Sequence, residues 1–360
     1  MSQLIRKMQG TIAYTSAGQT LPVKIQRGRF LSRIGVHMLC QLDRAAGAAG
    51  TCRDSAPAQL AAAIELIADG SHVIRRVPLW IQHRINQLDH GVRPAIQAAN
   101  LKGFAALNDE LCQLTAFFDF ERPRNQRWNY PIETLLDTRG LTDLELRITF
   151  GAGADIMDVA FGAPAITIDS AEWRIVTMER DQVAKADGSL EYAGRVFSTV
   201  YESVKTVNIT AAGPARIDLT TPAIYTDLVL FTESDGDLVN TILPYAAANA
   251  NKIRLKDGTK TIMEVDAGAL QREARTDFQI EVPELVSSAA ALDHGQQELV
   301  LPGIYPIHFS QDFNLRESGD FRQSHELYMD LEVAHPGTTD RIYVYQRQLM
   351  VPEGAVLQAA

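Results

Sequence analysis

The chain has 360 residues, of which 34 are Lys or Arg and 44 are Asp or Glu, so its formal net charge is −10 at pH 7. This length suits two domains, and 46% hydrophobic with 22% charged residues excludes a mostly disordered or collagen-like chain. The acidic balance disfavours a coat on nucleic acid or on an anionic membrane, because each of these needs clustered cations.

All three cysteines, Cys40, Cys52 and Cys112, lie in the first third of the chain. An odd number without C-x-x-C spacing is no disulfide framework, so we expect free thiols in a reducing compartment and Cys40 as a small core residue. No apolar run is long enough to span a bilayer, and no apolar segment follows Met1–Gly10. We therefore expect neither a membrane span nor a secretory signal.

Alternation of apolar and polar residues predicts β-strands along most of the chain, since a strand with one buried face has a period of two residues. Turn dipeptides such as Asp69-Gly70 and Asp257-Gly258 separate the strands, which favours β-sandwiches over βαβ units. In chain order, the predicted strands are Ile34–Leu42, Val73–Trp80, Leu144–Phe150, Glu172–Met178, Ile217–Leu219, Tyr225–Thr232, Thr261–Val265, Leu327–Val333 and Ile342–Val351.

Helical patterns are few. Apolar spacing predicts short helices at Ile81–Leu88 and Ala269–Arg275. The alanine-rich segment Ala56–Ala68 is compatible with a helix, but we predict its end, Ile64–Ile67, as a strand that enters the Asp69-Gly70 turn.

A weak internal repeat is the most informative pattern. Ile64–Gly70 resembles Ile253–Gly258, because both are alternating runs that enter an Asp-Gly turn and are followed by a second strand and a short helix. Downstream, Asp137–Ile148 resembles Asp320–Leu331 in its Asp, Arg and alternating apolar positions.

A third match pairs Tyr130–Ile132 with Tyr305–Ile307. The three matches occur in the same order, which predicts two copies of one β-rich unit in tandem. The polar, turn-rich segment Arg180–Arg195 is the expected junction, so we predict domains at 1–185, with a short N-terminal arm, and at 186–360.

The sequence contains no residue pattern that clearly indicates a catalytic site. The eight histidines show no H-x-H or H-x₃-H spacing, which disfavours a metal-binding barrel enzyme. We interpret His37 as a solvated or hydrogen-bonded surface histidine on the polar face of its strand. Asp293-His294 lies in a predicted loop with no G-x-S-x-G motif to supply a nucleophile. We expect no catalytic, cofactor-binding or metal-binding residues.

Three other segments have weak functional patterns. Ser234–Asp237 resembles part of a calcium loop, but the frame is incomplete and a β-turn is favoured, with a weak cation site left open. Gly151–Ala154 lacks the frame of a nucleotide loop. Arg122–Tyr130 combines arginines with aromatic residues, and we favour a protein interface over base stacking there.

Two tandem β-rich units in an acidic chain resemble the double jelly-roll major capsid proteins of tailless icosahedral viruses, in the tectivirus, corticovirus and adenovirus lineage and in some small single-stranded-DNA phages. Arg29–Ile34 resembles the start of the first roll, and the hairpin and helix at Ile64–Leu88 and Ile253–Arg275 resemble the C–D hairpin of each roll. Leu135–Leu144 resembles the stretch before a late strand, and Ile342–Val351 the last strand.

The resemblance implies an all-β fold of two tandem jelly rolls with a few short helices, and a structural protein that is not an enzyme and binds no cofactor. It implies homotrimers with a pseudo-hexagonal outline that tile a virion shell after assembly in the host cytoplasm. Neighbouring capsomers and penton or minor capsid proteins are the implied partners, an internal membrane is left open, and no sequence-specific nucleic acid is expected. Arg122–Asn129 and Ser287–Gln297 are expected at capsomer contacts or on the outer surface.

Two other functions stay open at this point. A two-domain carbohydrate-active hydrolase would use paired carboxylates, although 7% aromatic residues disfavour a sugar platform. A virion spike or another binding protein would usually carry an anchoring segment.

Overall fold

The computed structural model describes residues 4–44, 52–53, 55–91, 96–97, 107–121, 134–157, 166–181, 198–243, 252–277, 302–309 and 319–350. The chain divides into two compact units, one formed by residues 1–203 with 349–360 and the other by residues 204–348. The predicted domain boundary at 185/186 lies outside the described residues.

The first unit consists mainly of strands. In chain order its elements are β1 (Leu4–Ala13), β2 (Thr20–Lys24), β3 (Phe30–Arg44), β4 (Ala61–Ala68), β5 (His72–Val77), α1 (Leu79–His90), β6 (Ile96–Gln97), β7 (Leu107–Asp119), β8 (Leu136–Asp137), β9 (Leu144–Phe150) and β10 (Ile166–Arg180). One sheet has the order β1-β10-β3-β7-β6, with β8 paired to β3. The other has the order β2-β9-β4-β5, and β5 pairs in parallel with the start of β11 (Thr199–Ile209).

The order of these strands is that of a jelly roll. If the eight main strands β1, β2, β3, β4, β5, β7, β9 and β10 are lettered B to I in chain order, the two sheets are B-I-D-G and C-H-E-F. Consecutive strands of this set therefore lie in opposite sheets, except for E and F, which form a hairpin within one sheet. This is the double Greek-key arrangement of a jelly roll.

The second unit has the same topology. After β11 its elements are β12 (Gly213–Asp218), β13 (Ile224–Ser234), β14 (Asp237–Leu238), β15 (Lys252–Asp257), β16 (Lys260–Asp266), α2 (Ala267–Asp277), β17 (Ile304–His308), β18 (Gly319–Asp320), β19 (Leu327–Val333) and β20 (Asp340–Met350). Strands β11, β20, β13 and β17 form its B-I-D-G sheet, and β12, β19, β15 and β16 form its C-H-E-F sheet. A helix follows strand F in both units. The predicted all-β fold of two tandem jelly rolls is therefore confirmed.

The repeat is confirmed in two of its three matches. Ile64–Gly70 and Ile253–Gly258 both form strand E and its turn, and the predicted helices after strand F are present. These hairpins are E–F, so the assignment to C–D was wrong, because β1 to β3 precede the first of them. Phe30 likewise begins strand D rather than the first strand of the roll.

The third match, between Tyr130–Ile132 and Tyr305–Ile307, is not equivalent by topology. Tyr305 lies in strand G of the second unit, whose counterpart is β7, and β7 ends before Tyr130. Tyr130 itself lies outside the described residues. The predicted strand Val73–Trp80 ends at Val77, because Pro78 takes the N-cap position of α1. In Ala56–Ala68, residues Ala58–Leu60 form a 3₁₀ turn and the strand begins at Ala61.

Each roll has a core between its two sheets. In the first roll alternate residues of strand D, such as Ile34, Val36 and Met38, are fully buried. Trp173 of strand I stacks on Phe150 of strand H with ring centroids 5.1 Å apart. In the second roll the core includes Tyr225, Leu228, Leu230, Ile253, Leu255, Met329 and Leu331. The core of each roll therefore follows from the two-residue period of its strands.

A buried ion pair lies at the pairing of β5 with β11. Arg75 and Glu202 are register partners, their side chains are 0% and 1% exposed, and Arg75 Nη1 lies 3.1 Å from Glu202 Oε2. The guanidinium also lies over the ring of Phe120, 4.1 Å from its centroid, and donates to the carbonyl of Asp119. Through these contacts of Arg75, the ion pair connects strand F with the end of β7 in the other sheet of the roll.

We predict that Arg75→Met lowers the free energy of unfolding by about 3–5 kcal/mol, because it leaves the Glu202 carboxylate buried without its cation. The double variant Arg75→Met with Glu202→Leu should regain most of this loss, since apolar replacement of a whole buried pair is often neutral or stabilising. Urea unfolding followed by circular dichroism measures both. A double variant as unstable as the single one would contradict this account.

Candidate functional site

Two glycine-bearing segments have structural roles. Ser234–Asp237 forms the tight turn between β13 and β14, as predicted, and the Asp235 carboxylate accepts from the backbone N–H groups of Thr338 and Thr339. Gly151 lies where an added Cβ would be 2.1 Å from a backbone oxygen of Gln59, so this glycine allows close packing of two chain segments.

His37 lies on strand D, half-buried, with Nδ1 3.0 Å from the Thr115 hydroxyl. Burial, and secondarily the positive charge of Arg6, lower the pKa of His37, so the neutral ring is favoured at neutral pH. This agrees with its interpretation as a hydrogen-bonded strand residue. Asp293-His294, Arg122–Tyr130 and Ser287–Gln297 lie outside the described residues.

The E–F turn of each roll is tied to the chain before strand H. Asp69 Oδ1 accepts from the Thr142 backbone N–H at 2.6 Å and from its hydroxyl at 2.7 Å. In the second roll, Asp257 Oδ1 accepts from the Ser324 hydroxyl at 2.6 Å. The Asp of each Asp-Gly turn therefore fixes the same pair of loops, and the hydrogen bonds from Thr142 lower the pKa of Asp69.

The Asp-x-Arg motif before strand H is also repeated in structure. Arg139 donates to Asp137 through Nε at 2.8 Å and Nη2 at 2.7 Å, and Arg322 donates to Asp320 at 3.0 and 2.7 Å. For Asp137, burial opposes ionisation, but the hydrogen bonds from Arg139 keep its pKa below the ordinary value. Hydrogen bonding to Arg322 likewise lowers the pKa of Asp320.

In each roll, a row of polar and charged side chains on neighbouring strands crosses the B-I-D-G sheet. We call these the charged rows, and they lie at equivalent positions in the two rolls. Phe30 pairs with Asp137 and Ile224 pairs with Asp320, so Arg33 and Asp227 are equivalent, three residues further along strand D.

Arg33 forms an ion pair with Asp119 of strand G. Asp227 lies between His308 of strand G and Arg347 of strand I, with oxygen–nitrogen distances of 2.6 and 3.1 Å. The sequence search missed these rows because the partners are far apart in the chain and the charge at the shared position is reversed.

Helix α1 covers part of the edge of strand G. The Asn86 side chain accepts from the Phe117 N–H at 2.6 Å and donates to its carbonyl at 2.7 Å. Gln82 Nε2 donates to the same carbonyl at 2.7 Å. These contacts satisfy backbone groups that an exposed edge would offer to another strand. The helix thus limits uncontrolled pairing at this edge.

Three carboxylates meet on the first unit: the side chains of Asp43, Asp109 and Asp169 approach within 4.8 Å of one another. Desolvation by neighbouring groups, followed by the negative charge of Asp43, raises the pKa of Asp169. This is the described group that comes nearest to the carboxylate pair of a hydrolase. Asp109 and Asp169 are solvent-exposed, whereas a catalytic acid with a raised pKa is typically enclosed in an apolar pocket.

Each roll has an exposed apolar side chain on strand F, near its E–F turn. Val73 is 41% exposed and Ile262 is 39% exposed. Scattered exposed apolar residues are ordinary. These two lie on the same strand of each roll but not at equivalent positions, because Val73 is the fourth residue after Asp69 and Ile262 is the fifth after Asp257. Within the described part of the chain, no helix has the length and apolarity needed to cross a bilayer.

We predict that Asp69→Asn lowers the thermal midpoint at neutral pH. A lowered pKa means that the carboxylate stabilises the fold above its unfolded-state pKa of about 4. That stabilisation is lost as pH falls through the lower folded-state pKa. The midpoint difference between wild type and variant, followed from pH 7 to 2 by scanning calorimetry, should therefore shrink towards low pH.

Thr142→Val is the matched variant, because it removes one donor to Asp69 and leaves the carboxylate. It should lower the midpoint less than Asp69→Asn at neutral pH. A difference that does not change with pH would show that the Asp69 charge does not act as described.

Comparison with known proteins gives matches in structure alone: no protein-family model and no curated protein matches the sequence. The major capsid protein of Sulfolobus turreted icosahedral virus superposes with a TM-score of 0.68 at 18% identity, over 98% of this chain and 100% of that one. A chain of the PBCV-1 virus capsid gives 0.55 at 11% identity, over 100% and 98%. The major capsid protein of bacteriophage PM2 gives 0.51 at 11% identity, over 98% and 100%. The chain therefore has the double jelly-roll fold of these viral major capsid proteins.

Proposed function

We propose that this protein is a major capsid protein, a structural subunit without enzymatic activity that assembles into the shell of an icosahedral virion. The observation that carries the proposal is the repeated topology, in which one chain holds two rolls with the same B-I-D-G and C-H-E-F sheets. The likeness in fold to capsid proteins over nearly the whole length of both chains supports it.

Two similar rolls in one chain have a geometric consequence. A cyclic trimer of such a chain has six similar rolls around its axis, so its outline is pseudo-hexagonal and it can tile a surface. Closure into an icosahedral shell also needs five-fold positions, which we assign to separate penton or minor capsid proteins. The main partners are then neighbouring capsomers, and an internal membrane is a further candidate partner. The protein is located in the virion after assembly in the host cytoplasm.

The structure of each roll suits dense packing. Strands at the edge of a sheet are a hazard for a protein held at very high local concentration, and α1 covers part of one such edge through Asn86 and Gln82. Val73 and Ile262 each expose an apolar side chain on strand F of their roll. We infer that they contribute to contacts between copies.

The first test is the mass of the purified full chain under native conditions at physiological salt. We expect a trimer of about three chain masses, since closed cyclic assembly is what tiling requires. Negative-stain microscopy of concentrated protein should then show hexagonal arrays or shells. A chain that stays monomeric at all concentrations and hydrolyses glycosides would instead support the hydrolase alternative, with Asp169→Asn as the variant to examine.

The second test addresses the contact points. The double variant Val73→Lys with Ile262→Lys should assemble at least tenfold less readily than wild type in light scattering, because it places charges where apolar contacts are proposed. Its thermal midpoint should be nearly unchanged, as is usual for surface substitutions. Thr11→Lys is the control, since it adds a charge at an exposed polar position on β1, away from both E–F hairpins. Equal assembly of all three proteins would contradict the assignment.

A further inference from the structure

Two of the three cysteines face each other across a pair of strands in the first roll. Cys40 of strand D and Cys112 of strand G are direct register partners in the antiparallel pairing of β3 with β7. Their side chains point into the core, at 1% and 0% exposure, and both are free thiols. The chain positions are 72 residues apart, so the contact arises from the fold alone.

The backbone geometry at this pair already suits a disulfide. Residues directly opposite in an antiparallel pair have Cα atoms about 4.5–5.5 Å apart. Disulfides span Cα distances of about 4.4–6.8 Å, so closure requires side-chain rotation and no displacement of the strands. Cys112 Sγ donates to the Glu110 carbonyl oxygen at 3.8 Å, and the two thiols share a hydrogen bond with each other.

This hydrogen bond makes the two sulfurs chemically unequal. The bond from Cys40 lowers the pKa of the Cys112 thiol, although burial opposes the effect. The pKa of Cys40 is raised by the same hydrogen bond and by burial. Cys112 is therefore the sulfur that ionises first and becomes the nucleophile.

We propose that Cys40 and Cys112 form a cross-strand disulfide by exchange with a low-molecular-weight disulfide such as oxidised glutathione. The Cys112 thiolate attacks one glutathione sulfur, which forms a mixed disulfide and releases one glutathione thiolate. Cys40 then loses its proton and attacks Cys112 Sγ, which releases the second glutathione. The two protein thiols give up two electrons and two protons, and one oxidised glutathione becomes two reduced molecules.

The bond has a clear structural consequence. It closes the chain from residue 40 to residue 112, a loop that contains the E–F hairpin and helix α1. Closing a long loop stabilises a fold mainly by restricting the unfolded chain. Because both sulfurs are buried, exchange takes place during folding or local opening of the sheet. The inference is independent of the proposed capsid function, since the chemistry needs a single chain.

Cys52 provides an internal control. It is also buried, but its thiol contacts the sulfur of Met157 at 3.8 Å, within an isolated bridge between these two residues. Met157 cannot form a disulfide, so Cys52 should remain a thiol under the conditions that oxidise the Cys40–Cys112 pair.

The experiment refolds the full chain from denaturant in a mixture of reduced and oxidised glutathione, with reduced glutathione alone as reference. After acid quenching, thiols are counted in denaturant with Ellman's reagent and the intact mass is measured. We expect one free thiol instead of three, a mass lower by two hydrogen atoms, and a linked peptide pair containing Cys40 and Cys112. The oxidised protein should also have a thermal midpoint several degrees higher.

Variants identify the pair. Cys52→Ala should still form the bond and have no free thiol left, whereas Cys40→Ala and Cys112→Ala should each form no intramolecular disulfide. Peptide mapping of the wild type decides the question even if a variant does not fold. Three free thiols, a stable glutathione adduct, or a link that involves Cys52 would overturn the proposal.

Discussion

The two-residue period of side chains along paired strands is the constraint on which both rolls depend, because each sheet has one face turned to its core. Any charged side chain in a buried row must then find its partner in the same row. Arg33 with Asp119, and Asp227 with His308 and Arg347, meet this requirement across neighbouring strands. A shift of one residue in the pairing would separate these charges and turn the apolar set outwards. The charged rows therefore fix register as well as contributing to stability.

Strand D shows the same irregularity in both rolls, which strengthens the case for duplication. Its pairing with strand I skips one residue of strand D, Ser32 in the first roll and Thr226 in the second. Each extra residue directly precedes the charged position of its row, Arg33 or Asp227. A bulge re-aims the residues beside it and increases the local twist. We infer that the bulge sets the orientation of the charged row in each copy.

Sequence patterns predicted the parts of the fold that depend on local chemistry. The E–F hairpins, the helices after them and the segment before strand H were found because Asp-Gly turns and apolar alternation mark them directly. The main strands β1, β2, β7, β11 and β17 were missed, as were the short strands β6, β8, β14 and β18. In β1 and β2 one face is exposed and the other is mostly only partly buried, so polar residues such as Lys7 and Gln9 occur on the inner face and weaken the alternation that identifies a strand. The charged rows and the Cys40–Cys112 contact were beyond reach, because they join residues that only the strand order brings together.

The elements shared by the two rolls indicate what a jelly roll needs from its sequence. In both copies the Asp of the E–F turn accepts a hydrogen bond from the segment before strand H. Both copies also have an Asp-x-Arg pair beside the first residues of strand D. The strand D position carries a cation, Arg33, in the first copy and a carboxylate, Asp227, in the second. The row persists because each of these side chains has a partner on a neighbouring strand. A fold that depends on turn anchors and register in this way tolerates replacement of most core residues by others of similar size. This tolerance explains how a chain can keep the architecture at 18% identity.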